Sequence, residues 1–223
     1  MSMFQIKPAR TLHEIYEQDF IPQKETGIHG WREWFVAQWR SHIEFYAEHH
    51  WWMMPIAARG KRPVQNRSNY STVNKMWPAL TVKQAEEWAS KDFNIAVIGG
   101  RQIFWLDIDE PQKVPASFLE VAATQFLTMR TARGLAIPVE RSGRGLGTKQ
   151  LDGIGVDTVR KGNTYQLVPL SVTCTRDSGT SNHRVDFGKS PCVDGGKHDL
   201  RVREFLDLSK PVMMQKTLGR LLK

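Results

Sequence analysis

Asp107 and Asp109 stand two residues apart at the end of an apolar run, Ile103-Phe-Trp-Leu106. Ile108 lies between them, and Glu110 and Pro111 follow. Side chains alternate faces along a strand, so the two aspartates share one face and Ile108 returns to the other. Their Cα atoms then lie roughly 6.5–7 Å apart. Carboxylates on that spacing can converge on one or two divalent cations. Mg²⁺ takes one or two protein carboxylates and fills its shell with water and substrate phosphates. The pair therefore suits phosphoryl or nucleotidyl transfer. The competing reading is a strand end whose acids are solvated or cap the next helix. A pattern this short does not separate the two.

Cations and soft ligands lie elsewhere in the chain. Arg59, Lys61 and Arg62 surround Gly60 in a turn-rich stretch, either a phosphate-binding loop or a solvated basic one. Residues 141–149 form a Gly- and Arg-rich loop that lacks the Gly-Lys-Ser/Thr ending of a Walker A loop. Cys174, His183, Cys192 and His198 are four possible zinc donors, but none of their spacings is that of a zinc site. Scattered histidines and free thiols are the expectation there, with a structural zinc as the minor alternative.

The elements that must position these residues follow from periodicity. A modest helical pattern runs from Thr11 to Phe20. The strongest one, between His29 and Trp52, carries Trp31, Trp34, Phe35, Trp39, Ile43 and Phe45 or Tyr46 on one stripe. That stripe reads as core rather than as a base-stacking platform. Thr81 caps a helix with Gln84 at its third position. Asn94-Ile-Ala-Val-Ile98 is a short buried strand, Gly99-Gly100 a turn, and the acidic strand comes next. Pro115 to Thr128 reads as a helix, and 128–139 as strand, turn at Arg133-Gly134, and strand. Residues 154–159 and 163–168 read as a hairpin-like pair around Arg160-Lys161-Gly162. A short helical pattern near Val202–Leu206 and a basic, helix-like tail from Met213 close the chain.

The chain of 223 residues carries 31 Lys and Arg against 23 Asp and Glu, a net charge of +8. That surplus favours a polyanionic partner, nucleic acid or nucleotide. No apolar run is long enough for a membrane span, and no signal peptide is recognisable. Two cysteines are no disulfide scaffold, so an intracellular, cytoplasmic protein is expected.

The order of these parts resembles the primase–polymerase (prim-pol) domain of plasmid and virus replication proteins, in the archaeo-eukaryotic primase superfamily. Gly60-Lys-Arg-Pro63, a Thr-capped helix ending in Glu86-Glu-Trp88, Asn94 to Gly100 and Asp107-Ile-Asp109 carry the resemblance. Gly155-Val-Asp157 resembles the third acidic strand. Gly162-Asn-Thr-Tyr-Gln-Leu-Val-Pro-Leu-Ser171 resembles the hairpin that follows it. The resemblance spans about residues 54–172.

It implies Asp107, Asp109 and Asp157 as ligands of two Mg²⁺ or Mn²⁺ ions. It also implies Arg59, Lys61 and Lys161 as contacts for triphosphate or template backbone. The small zinc element of some relatives lies between their second and third motifs, whereas the four donors here follow the third. One departure is plain. The second motif normally places a His after a Gly-containing turn, and residues 131–137, Thr-Ala-Arg-Gly-Leu-Ala-Ile, hold none. Arg130 or Arg133 could supply the phosphate-binding cation instead.

The expected architecture is α+β: a mixed, largely antiparallel sheet with flanking helices, a primase-like, RRM-like core. Residues 1–53 form an aromatic-rich helical segment, 54–172 the core, and 173–223 a loop-rich extension with a basic tail. The expected function is DNA primase and DNA polymerase of a mobile replication element. Its partners would be single-stranded or primed DNA, (d)NTPs and a replicative helicase, with no membrane. The rivals are an inactive nucleic-acid-binding module on the same fold and a metal-dependent nuclease.

Overall fold

The structure is a computed structural model and describes residues 9–10, 14, 41–56, 83, 87–88, 93–99, 103–131, 133–142, 157–159, 165–169, 171–174 and 200–222. It is an α+β fold with mostly antiparallel sheets. The chain divides into two compact units. One comprises Met1–Ala9, Ile98–Gln166 and Glu204–Lys223, the other Arg10–Val97 and Leu167–Arg203. No helix among the described residues is long and apolar enough to cross a membrane.

The first unit is built on β3 (Ile103–Ile108), which runs antiparallel to β5 (Leu135–Glu140) on one side and β6 (Asp157–Val159) on the other. Period-two alternation sorts its side chains. Phe104, Leu106 and Ile108 join Val114, Phe118, Leu119 and Ala122 in a core beneath α2 (Ala116–Gln125). Trp105, fully buried, belongs to the other face. Pro115 stands at the cap of α2, where a missing N–H costs nothing. At the far end the Ala122 carbonyl accepts from Phe126 N–H at 3.1 Å and from Thr128 Oγ1 at 2.9 Å. Those two bonds satisfy an orphan carbonyl and turn the chain into β4 (Met129–Arg130).

β4 and β5 form an antiparallel hairpin. The outer edge of β5 is shared: β4 pairs at Leu135 and Ala136, and β11 (Met213–Met214) runs parallel at Val139 and Glu140. Pro138 falls in the gap between them, a place that suits a residue without an N–H. β10 (Glu204–Phe205) extends the sheet beyond β4, giving the order β10-β4-β5-β3-β6. α3 (Gln215–Leu221) follows β11 directly, and its Gln215 side chain accepts the Ser142 N–H at 3.1 Å.

In the second unit, β1 (Met53–Ile56) pairs antiparallel with β2 (Asn94–Ile98). The Ser171 hydroxyl accepts from Ile95 N–H at 3.1 Å and donates to Ile95 O at 2.9 Å, pinning Ser171 to β2. β8 (Val172–Cys174) pairs with β9 (Leu200–Val202). Lys83, Glu87 and Trp88 are helical, as the Thr81-capped pattern expects. Residues 41–48 form the described part of the aromatic helix, α1. Ile43, Tyr46 and Trp51 are buried, so the described part of the stripe is core, and Trp31, Trp34 and Trp39 lie outside the described residues. Burial pushes the Tyr46 phenol well above its ordinary pKa.

Two expectations need correction. β6 and β7 (Tyr165–Leu167) do not pair as a hairpin: β6 joins β3, while β7 belongs to the sheet of β1 and β2. Each three-residue strand completes a larger sheet, which is more stable than a free two-stranded ribbon would be. The Val202–Leu206 stretch is also not helical. It ends β9 and forms β10, because pairing with β8 and β4 outweighs a weak helical period.

The end of α1 carries a local conflict. Trp51 N–H bonds to Tyr46 O and His50 N–H to Ala47 O, the two bonds of a Schellman close. The Tyr46 and Trp51 rings stack with centroids 5.7 Å apart and seal it. The left-handed position is filled by His50 at φ 51°. A non-glycine residue there costs about 1–2 kcal/mol. His50→Gly is therefore expected to stabilise the protein by about 0.5–1 kcal/mol, after allowing for the extra freedom of glycine in the unfolded chain. A higher urea midpoint at unchanged m-value checks it.

Candidate active site

The registers of four strand pairs line up one row of residues across the first unit's sheet. Phe205 stands opposite Met129, Met129 opposite Ala136, Ala136 opposite Asp107, and Asp107 opposite Asp157. Residues directly opposite share a face, with Cα atoms about 4.5–5.5 Å apart. Asp107 and Asp157 are therefore placed on the same face, the one away from α2. The next row, Glu204, Arg130, Leu135 and Ile108, belongs to the α2 side, since Leu135 and Ile108 are in that core. Arg130 is thus placed on the face opposite the aspartates.

β3 ends at Ile108, and Asp109 begins the bend beyond it. Two contacts accompany that bend. Glu110 forms an ion pair with Lys113 across a 3₁₀ turn, Pro111–Lys113. Gly134 packs its backbone against the Ile108 carbonyl so closely that a Cβ there would sit 2.0 Å from the oxygen. The β4–β5 turn that carries Gly134 is closed by Thr131: its N–H donates to Gly134 O at 2.9 Å and its Oγ1 accepts the Gly134 N–H at 3.0 Å. Thr131 O in turn accepts the Ala9 N–H at 3.0 Å.

That packing delivers Arg133 to the acids. Its guanidinium lies 2.5 Å from Asp109 Oδ2, with the Arg side chain 53% and the Asp side chain 33% exposed. Of the two cations expected near the second motif, Arg133 is the one the fold brings to an aspartate. Sequence reasoning placed a turn at Arg133-Gly134 but missed Thr131, although a Thr three residues before a Gly in a tight turn was readable as such a close.

Arg59, Lys61, Lys161, His183, Cys192 and His198 lie outside the described residues. Cys174 is in β8, at the register position of Leu200. Among the described side chains no three His, Cys, Asp or Glu gather into a metal-binding group, and Asp157 enters only by its register position. Three aspartates at one end of β3 and β6 are an all-oxygen set that fits a hard divalent cation.

A family model described as "Prim-Pol: Bifunctional DNA primase/polymerase, N-terminal" matches residues 43–192. No curated protein matches the chain.

The close approach of Gly134 generates a prediction. In Gly134→Ala the new methyl meets the backbone at Ile108, so the turn or the strand end must shift, and overpacking of this kind costs about 1–3 kcal/mol. A matching drop in the denaturation midpoint is expected, together with loss of any divalent-cation binding measured by titration calorimetry.

Proposed function

The chain belongs to the Prim-Pol family of bifunctional DNA primase/polymerase N-terminal domains, and on that premise we propose that it is a template-directed nucleotidyltransferase whose acidic centre is Asp107, Asp109 and Asp157. The family supports a primase- or polymerase-type replication function. The observation that carries the finer reading is the register of β3 on β6, which sets Asp107 opposite Asp157 with Asp109 one strand step further on.

Mg²⁺ or Mn²⁺ bound by these carboxylates would polarise the α-phosphate of the incoming nucleotide and lower the pKa of the attacking 3′-hydroxyl. The chain's own contribution is position. Asp107 is held by ladders on both sides of β3, so the backbone that presents it is fixed before a ligand arrives. Asp109 sits just past the last rung and keeps more freedom. Arg133 supplies a planar fork suited to a triphosphate, in the segment where the family carries a histidine. The +8 net charge favours a nucleic-acid partner. Single-stranded or primed DNA, (d)NTPs, a plasmid or virus replication system and a helicase partner complete the proposal.

A second reading has one specific observation behind it. Arg133 is engaged with Asp109 rather than free, as in a module that kept nucleic-acid binding and gave up catalysis.

A primer-extension assay separates them. With Mn²⁺, a primed template and labelled dNTPs, the wild type is expected to incorporate nucleotide, and Asp107→Asn to lose on the order of a hundred- to thousandfold of that rate. DNA binding measured by anisotropy should survive the substitution. No incorporation by the wild type, with salt-sensitive DNA binding intact, would favour the binding module. Shortening of the DNA without dNTPs would point to a nuclease.

A further inference from the structure

Asp109 and Arg133 belong to different strand ends and are joined by the contact of Gly134 with Ile108. The pair is half open to solvent. An exposed ion pair of this kind adds little to stability, and the turn that carries Arg133 is already closed by Thr131. The adjacent acid, Glu110, has its own cation in Lys113. Arg133 therefore sits on the carboxylate that a metal ion would need, without a structural duty that requires it. A guanidinium grips a carboxylate and a phosphate with the same fork, so the two ligands exclude each other.

Resting on the nucleotidyltransferase reading, we infer that Arg133 is an exchangeable counter-ion of the acidic centre. It holds Asp109 in the metal-free protein, yields that carboxylate when a divalent cation binds, and then grips the triphosphate of the incoming nucleotide. One side chain thereby couples metal binding to nucleotide binding, and by linkage the coupling acts in both directions.

The test uses the full chain without nucleotide, titrated with Mn²⁺ and read by the electron paramagnetic resonance of the free ion. Arg133→Gln removes the competitor and is expected to tighten Mn²⁺ about two- to fivefold, the range set by an exposed pair. Lys216→Gln removes the same charge from an exposed position on α3, which follows the strand paired with the other end of β5, and should leave the affinity unchanged. In EDTA, inorganic tripolyphosphate should bind more tightly to Asp109→Asn than to Glu110→Gln. Both lose one negative charge, but only the first releases Arg133. Tripolyphosphate should bind more weakly to Arg133→Gln than to the wild type.

Equal or weaker Mn²⁺ binding in Arg133→Gln overturns the inference, as does an equal gain in Lys216→Gln. If neither the wild type nor Arg133→Gln binds Mn²⁺, the metal-centre reading fails as well. If both bind it equally, that reading stands and the exchange alone is wrong.

Discussion

Two aspartates occupy opposite positions of the β3–β6 ladder, Asp107 on one strand and Asp157 on the other. Like charges directly opposite in an antiparallel pair work against the pairing. The unit must therefore hold that register by other means, and its architecture shows how. β3 is clamped by β5 along its whole length, and its Phe104, Leu106 and Ile108 are locked into the core under α2. A one-residue slip would carry those three side chains to the wrong face. Core packing thus sets the register, and the register sets Asp107 and Asp157 at opposite positions of the ladder. A bound divalent cation would turn the repulsion into a binding site.

The same logic explains the end of the strand. Asp109 lies beyond the last rung, so its place depends on what packs against the bend. Gly134 packs there because nothing larger fits over the Ile108 carbonyl, and the turn closed by Thr131 then presents Arg133 to the carboxylate. A glycine at a backbone contact, a threonine closing a turn and an arginine on an aspartate form one chain of causes, each readable from local chemistry once the contact is known.

Much of this was legible in the residues. Alternation along Ile103–Ile108 gave the face of Asp107 and the core side of Ile108. The apolar run at Asn94–Ile98, the helix after Pro115 and the Arg133-Gly134 turn are where periodicity and turn chemistry put them. Strand partners were not legible. Residues 154–168 read as a local hairpin, yet β6 and β7 join different sheets, because pairing is decided by buried edges distant in sequence. Val202–Leu206 read as helix for the same reason. The Arg133–Asp109 pair joins residues 24 positions apart by number and depends on the Gly134 contact, which no spacing rule reveals. The face of Arg130 likewise followed only from its register with Leu135.

The proposed metal centre requires Asp107 and Asp157 to hold a divalent cation between two strands, with Asp109 at its rim. Diffraction from crystals soaked in Mn²⁺, recorded at a wavelength where manganese scatters anomalously, tests it most directly. An anomalous peak is expected within about 2.0–2.6 Å of carboxylate oxygens of both Asp107 and Asp157. A fully occupied Mn²⁺ site elsewhere in the chain, with no peak between these two aspartates, would contradict it.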